Sequence, residues 1–254
     1  MTIGFAPQNH IMSGILYLVS TPIGNFEDLT FRAVKMLRAV RFIAAENPQI
    51  TKQLLDHYAI ETPVTTYHQL NKEEKAPLIL KQLQDGNHAA LVCDAGTPVI
   101  ADPGAFLISK ALAAGIAVRS VPGVSAITAA LSSSGLPSDE FVFVGMFPHR
   151  PVARRRFTAA LGEETRTAVV FISVKQLLTA LDLLRPVLGR RRIVTAHNLT
   201  MRSEALIRGT VPELLHTFKS SPLEGEVTLI IEGRKKKPRE SRVSNRVNRR
   251  GVFE

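Results

Sequence analysis

Apolar runs alternate with helical patterns along the first half of the chain. Five short apolar runs are typical of buried strands: Ile15–Ser20, Arg41–Ala45, Thr62–Tyr67, Ala89–Cys93 and Ile116–Val121. Between them, apolar residues recur every three or four positions, which predicts amphipathic helices over Asp28–Val40, from Asn47 onward, over Lys75–Leu83 and over Gly104–Ala114. Strands that alternate with helices in this way favour an α/β fold with a mostly parallel sheet.

The same alternation starts again after an Ala-rich helix at Ser125–Ser134. Four further strands are predicted at Phe141–Met146, Thr167–Ser173, Arg192–Ala196 and Glu226–Glu232. Helices are predicted between them at Arg154–Leu161, Leu177–Leu188 and Val211–Phe218. We therefore predict two α/β domains, 14–122 and 123–233, and a ligand cleft between these two lobes. A loose N-terminal extension (1–13) and a tail (234–254) lie outside them.

The positive charge of the chain is concentrated in that tail. Residues 234–254 hold nine Lys and Arg against two acids, so they carry seven of the ten net positive charges. The tail has few apolar residues, and we expect it to be disordered. Such an arm suits contact with nucleic-acid phosphates, although a merely solubilising tail is an equally good interpretation.

Other composition features narrow the class of protein. No apolar run reaches the length of a membrane-spanning helix, and the N-terminus lacks the pattern of a secretory signal. Cys93 is the only cysteine, which excludes an internal disulfide and fits a cytoplasmic protein. We interpret it as a small buried hydrophobe. The seven histidines are scattered, so we predict no metal site.

Three polar loops follow predicted strands of the first sheet. Loop one is Ser20–Asn25, loop two is Asp94–Gly104 and loop three is Val121–Ala126. The carboxyl ends of parallel strands share one sheet edge, where α/β proteins bind ligands, so we expect the loops to converge there. None is a Gly-rich dinucleotide or P-loop motif, and each alone is more often a plain turn. Together they suit a small polar ligand held by backbone groups.

Four segments carry a resemblance to a known family: TPIGNFEDLT (21–30), CDAGTPVIADPG (93–104), VPGVSAITAALSSSGLPSDEF (121–141) and EGEVTLIIEG (224–233). In this order and spacing they resemble the tetrapyrrole-methylase superfamily, over about residues 14–233. Within it, the chain resembles the branch that methylates small-subunit ribosomal RNA. The resemblance implies a two-lobed fold, a homodimer, and S-adenosylmethionine in the cleft between the lobes. It also implies 2′-O-methylation of a cytidine ribose in the decoding region of 16S rRNA.

Carried over by position, the resemblance implies a set of cofactor contacts. These are Pro22, Asp94, Ala95, Gly96, Thr97, Ile100, Ser125 and Ala126 from the three loops, with Ser173, Ala196 and Val227 from the second lobe. No metal is implied. The cofactor brings its own leaving group, so the protein mainly aligns the methyl group with its acceptor.

A ribose hydroxyl is a poor nucleophile, so a general base in reach would help. The candidates are Glu46, Asp28, Asp102 and His68. We favour Glu46 and Asp102 as the catalytic residues, because both follow strands at the same sheet edge. The alternative for Asp28 and Asp102 is a role as helix-start or turn carboxylates.

Basic clusters are candidates for contact with RNA. Arg154, Arg155 and Arg156, close to Arg150, occupy a segment that is basic in the family, and Arg190–Arg192 form a second cluster. Such clusters suit backbone contacts on small-subunit rRNA or on an assembled 30S subunit. The alternative for each is a solvated helix face.

The chain departs from the family pattern at three places. The family's usual AEDTR is replaced over Ala45–Gln49, its YESPHR over Ile172–Gln176, and its RELTK over His197–Met201. Each change removes charged groups, while the cofactor loops are intact. Two alternatives therefore stay open: a small-molecule methylase of tetrapyrrole type, and a paralogue that binds cofactor and RNA without turnover.

Overall fold

The computed structural model describes residues 13–235, which form two five-stranded sheets with flanking helices. The first sheet has the strands β1 (Ile15–Val19), β2 (Phe42–Ala45), β3 (Val64–Thr66), β4 (Ala89–Val92) and β5 (Ala117–Val121). The helices between them are α1 (Phe31–Ala39), α2 (Pro48–His57), α3 (Lys72–Gln84) and α4 (Ala105–Ala113). All neighbours pair in parallel in the order β3-β2-β4-β1-β5, so the predicted parallel sheet is confirmed.

Capping residues set where two of these helices begin. The Thr30 hydroxyl accepts a hydrogen bond from the Ala33 amide at 3.1 Å and starts α1. The predicted start at Asp28 is wrong, because residues 26–28 form a separate 3₁₀ turn. The Asn47 side chain caps α2 by accepting from the Gln49 amide at 3.0 Å, with Pro48 in the first turn.

The second sheet mixes parallel and antiparallel strands. It has β6 (Phe141–Met146), β7 (Thr167–Ser173), β8 (Ile193–His197), β9 (Ala205–Gly209) and β10 (Glu226–Ile231), in the order β6-β7-β10-β8-β9. Its helices are α5 (Ala126–Ser134), α6 (Pro151–Glu163), α7 (Val174–Leu188) and α8 (Val211–Ser220). Only β6 and β7 pair in parallel. The strand β9 was not predicted, because its half-exposed residues show no clear apolar alternation.

Loop one and the second sheet are in close contact. A buried cluster joins Ile23 of loop one to α5 and to residues of β7, β8 and β10. A Cβ atom on Gly24 would lie 2.7 Å from the Leu199 carbonyl oxygen, so only glycine permits this approach. The two sheets therefore lie close together at this edge of the parallel sheet. The division into domains at residue 122 stays a prediction.

Some predictions fall wholly or partly outside the described residues. They concern the extension (1–13), of which only residue 13 is described, and the tail, of which only 234 and 235 are described. Within residues 13–235, no helix combines the length and the apolar character that a bilayer crossing requires.

Candidate active site

The three polar loops meet at one edge of the first sheet, as predicted, because the strands β4, β1 and β5 are neighbours. Thr21 and Gly96 exchange two backbone hydrogen bonds of 2.9 and 3.0 Å, which tie loop one to loop two. The Thr97 hydroxyl donates to the Val124 carbonyl at 3.2 Å, and the Ser20 hydroxyl donates to Thr97 Oγ1 at 3.3 Å. Thr97 therefore holds all three loops together.

A cavity of about 460 Å³ lies between these loops and the ends of β7 and β10. Its size is that of a typical small-ligand site. The structure brings eleven of the predicted site residues to its wall: Glu46, Asp94, Ala95, Gly96, Thr97, Ile100, Asp102, Ser125, Ala126, Ser173 and Val227. Two predicted residues are elsewhere: Pro22 is buried outside the cavity wall, and Ala196 lines a small neighbouring pocket.

Several wall residues were not predicted: Ile23, Ala101, Met146, Phe171, Ile172, Gly225, Glu226 and Thr228. The sequence did place Glu226 at the start of a strand. It did not reveal that β10 runs antiparallel to β7, which brings Glu226 opposite Ser173 and so into the cleft.

Four carboxylates line the cavity: Glu46, Asp94 and Asp102 from the first sheet, and Glu226 from the second. Burial raises the pKa of Glu46, and the negative charges of Asp102 and Asp94 raise it further. Burial also raises the pKa of Asp102; the hydrogen bond from the Cys93 thiol opposes this rise, and the charges of Asp94 and Glu226 add to it. The cavity is therefore an acidic site that favours a cationic ligand.

Asp94 connects this site to α2. Its Oδ1 accepts a hydrogen bond from the Asn47 amide at 3.1 Å. Burial raises the pKa of Asp94, while the Asn47 hydrogen bond lowers it.

Cys93, the residue before Asp94, is buried as predicted, and burial raises the pKa of its thiol well above the usual value. A thiol held in this protonated form is a poor nucleophile.

The other two candidate bases do not line the cavity. Asp28 lies in the 3₁₀ turn after loop one. His68 follows β3, and its amide donates to the Asn71 side chain at 2.8 Å in the turn before α3. Glu46 and Asp102 are thus the two candidates that geometry brings to one site.

All three departures from the family pattern border the cleft. Asn47 contacts Asp94 as described, and Ser173 bonds to Gln176 at 3.0 Å at the start of α7. Asn198 Oδ1 accepts from the Glu226 amide at 3.1 Å. The Asn47 contact is made by its backbone amide, whereas Ser173, Gln176 and Asn198 place uncharged side chains at hydrogen-bonding positions near the acidic cavity.

The arginine clusters divide into exposed and structural members. Arg155 and Arg156 are exposed on α6, whereas Arg154 donates to the Pro148 carbonyl at 2.9 Å and lies 5.7 Å from the Phe147 ring centroid. Arg191 is half-buried and donates to backbone carbonyls around the end of α6, including that of Leu161 at 2.8 Å. Arg191 therefore has structural contacts, and the interpretation of its cluster as an RNA contact stays a prediction.

The chain is similar to the proteins of one known family. The family model described as "Tetrapyrrole (Corrin/Porphyrin) Methylases" matches residues 15–215. The chain is 42% identical over 225 residues to "Ribosomal RNA small subunit methyltransferase I" of Escherichia coli O157:H7, covering 87% of this chain and 79% of the relative. It is 39% identical over 221 residues to the protein of the same name from Thermotoga maritima, covering 87% and 99%.

Solved structures share the fold at low sequence identity. A cobalt precorrin-4 methyltransferase superposes with a TM-score of 0.66 at 16% identity, covering 90% of this chain and 98% of that one. A diphthine synthase gives a TM-score of 0.66 at 14% identity, covering 86% and 90%. The predicted tetrapyrrole-methylase fold is confirmed.

Proposed function

Since this chain belongs to the tetrapyrrole methylases, and within them to the ribosomal RNA small subunit methyltransferase I family, we propose that it is a methyltransferase of 16S rRNA. The methyl donor is S-adenosylmethionine, and the acceptor is the 2′-hydroxyl of a cytidine ribose. The observation that carries this proposal is the acidic cavity, in which three intact loops and two candidate bases come together. The protein acts in the cytoplasm as a homodimer.

The residues of the cavity fit this methyl donor. S-adenosylmethionine carries a sulfonium and an ammonium group, and the four carboxylates favour both positive charges. Asp94, Thr97 and Ser125 would hold it from the loops, with Ser173 and Val227 on the opposite wall. The bound cofactor supplies an activated methyl group whose leaving group is a neutral thioether. The protein's own contribution is alignment and removal of a proton.

Either Glu46 or Asp102 accepts the single proton that the ribose hydroxyl loses as its oxygen bonds to the methyl group. Burial raises the pKa of each carboxylate, which makes it a stronger base than an exposed one. Glu46→Gln and Asp102→Asn variants separate the two. The base variant should lose about a hundredfold or more in single-turnover rate, the usual scale of general-base catalysis. Calorimetry should show that its cofactor affinity changes less than the rate does.

Arg155 and Arg156 contact phosphates of the acceptor RNA, which their exposure and position on α6 support. In an Arg155→Ala/Arg156→Ala double variant, RNA affinity should fall, and the slope of log affinity against log salt should flatten by about 1.5. Cofactor affinity should stay the same. Arg185→Ala, an exposed arginine on α7, is the matched control. An unchanged salt slope in the double variant would show that these arginines do not contact RNA phosphates.

Mapping ribose methylation tests the whole proposal. In primer extension on 16S rRNA, reverse transcription stops at a 2′-O-methylated ribose. One such stop should be absent in a strain that lacks the gene and should return on complementation. The loss of charged groups at the three departures favours, as second candidate, a paralogue that binds cofactor and RNA without turnover. In that case calorimetry detects cofactor binding, but no stop depends on the gene. Methylation of a porphyrinogen in place of RNA would indicate the small-molecule alternative.

A further inference from the structure

Two large apolar side chains, one from loop two and one from the second sheet, are exposed and line the acidic cavity. Ile100 of loop two is 42% exposed, and Met146 at the end of β6 is 52% exposed. Both line the cavity together with the four carboxylates. The positive charges of S-adenosylmethionine gain nothing from these apolar side chains, and leaving apolar surface in water costs about 25 cal/mol per Å². Their exposed surface, placed in the cavity wall, suits the flat face of an aromatic ring.

A β-bulge places Met146 on the cavity side of the sheet. Phe143 pairs with Val169, but Met146 pairs with Phe171, so β6 has one extra residue over this interval. Gly145 supplies the left-handed backbone, with φ +82°. A regular strand would put Gly145 opposite Phe171, and Met146 would point to the other face. Because of the bulge, Met146 and not Gly145 lies beside Phe171, which itself lines the cavity.

The backbone after Met146 is firmly held. The Phe147 amide donates to the Phe171 carbonyl at 2.8 Å. The Pro148 carbonyl accepts from Arg154 Nε at 2.9 Å and from Gln176 Nε2 at 3.2 Å. Two helices therefore anchor the segment next to Met146. A side chain on such a support can serve as a fixed platform.

Ile100 is held in the loop-two part of the cavity wall by an unusual backbone. Its neighbours Val99 and Ala101 have φ of +77° and +67°, a region that costs residues with a Cβ atom about 1–2 kcal/mol each. The Val99 side chain faces Gly104, where an added Cβ would lie only 2.8 Å from it. Val99 is thus turned inward and Ile100 outward. Strain of this kind persists where the surrounding structure over-determines it, which is common at ligand sites.

We propose that Met146 packs against the nucleobase of the acceptor nucleotide, with Ile100 as a second apolar contact from the cavity wall. This inference rests on the proposed function. Glu46 and Asp102 lie within a cavity that admits a small ligand and no stacked helix, so the acceptor nucleotide reaches them only when it leaves its stack. An extruded base needs apolar surface on its faces, and these two side chains offer it. Apolar contact with the face of a base does not depend on which base it is. These side chains would therefore position the nucleotide without contributing to base specificity.

The test compares methyl transfer by Met146 variants. The substrate is 30S subunits from a strain that lacks the gene, with radiolabelled S-adenosylmethionine. Met146→Ala should lower kcat/KM for the subunits about five- to hundredfold, the range for the loss of one base-stacking contact. Met146→Phe should stay within about threefold of wild type, because an aromatic ring offers a similar or better stacking surface. Calorimetric affinity for S-adenosylmethionine should be unchanged in both.

Leu112→Ala is the matched control, because Leu112 is 59% exposed on α4 and does not line the cavity. Its kcat/KM should equal that of wild type. If Met146→Ala equals wild type, or if Met146→Phe is as impaired as Met146→Ala, the inference is wrong. It is also wrong if Met146→Ala weakens cofactor binding by the same factor as turnover. If wild type transfers no methyl group to the subunits, the proposed function fails first, and the inference falls with it.

Discussion

Arg191 offers a test of the distinction between structural and RNA-binding arginines. Its guanidinium donates to the carbonyls of Glu232, Leu161 (2.8 Å), Gly162 (3.2 Å) and Glu164 (3.4 Å). Leu161 and Gly162 lie in the last turn of α6, where carbonyls have no partner within the helix. The charge also lies at the negative end of the helix dipole. Arg191 thus ties the end of α6 to β10 and to the start of β8.

The expected cost of Arg191→Ala follows from these contacts. A hydrogen bond to a charged donor contributes about 1.5–3 kcal/mol, and Arg191 makes two short bonds and two longer ones. Arg191 is only half-buried, so water replaces part of what is lost. We therefore expect the free energy of unfolding to fall by about 3 kcal/mol. For a protein of this size that is a drop of about 6–12 °C in the thermal midpoint.

Urea and thermal unfolding, followed by circular dichroism, measure this change. Arg190→Ala is the control, because Arg190 is exposed and makes no ion pair within residues 13–235; it should stay within about 0.5 kcal/mol of wild type. Arg191→Lys keeps the charge but not the planar fork, so an intermediate loss is expected. Equal stability of Arg191→Ala and Arg190→Ala, with RNA affinity lost only in the former, would falsify the structural role.

Three further variants test the cleft. Because the folded-state pKa of Asp102 lies above its unfolded value, its ionised form costs stability as pH rises through that interval. Asp102→Asn should therefore raise the thermal midpoint at pH 7 but not at pH 3; an equal gain at both would contradict the burial argument. Gly24→Ala would place a Cβ 2.7 Å from the Leu199 carbonyl, so calorimetry should show weaker cofactor binding; unchanged affinity would mean that the approach of loop one to the second sheet is dispensable. Thr97→Val removes the 3.2 Å bond to the Val124 carbonyl and should cost about 1 kcal/mol in urea unfolding, and no loss would show that the loops hold without it.

The candidate site was largely predictable from the chain. Parallel strands separated by helices bring their carboxyl ends to one edge, so loops one, two and three were expected to meet. The structure brings them together through Thr21, Gly96 and Thr97. The residues after those strands, Glu46 and Asp102, consequently appear in one cavity. Local sequence sufficed here because strand direction alone fixes which loop ends are neighbours.

The second wall was much less predictable. β10 lies in the middle of its sheet and antiparallel to both neighbours, and its apolar run is the same for either direction. The direction of β10 brings Glu226 into the cavity, and the local sequence pattern does not reveal that direction. Arg191 and Arg190 are adjacent in a basic run, yet one is bonded to the end of α6 and the other is exposed. The difference arises from which carbonyls the fold brings within reach.

The sequence by itself determined the alternation of strands and helices, the parallel first sheet, the meeting of the three polar loops and the family. Those features depend on local periodicity, on capping residues such as Thr30 and Asn47, and on motifs that are contiguous in the chain. Only the tertiary structure decided the acidic cleft shared by two sheets, the structural role of Arg191, and the position of Met146 at the cavity. These depend on contacts between distant segments and on one extra residue in β6, whose effect appears only when the strand is paired with β7.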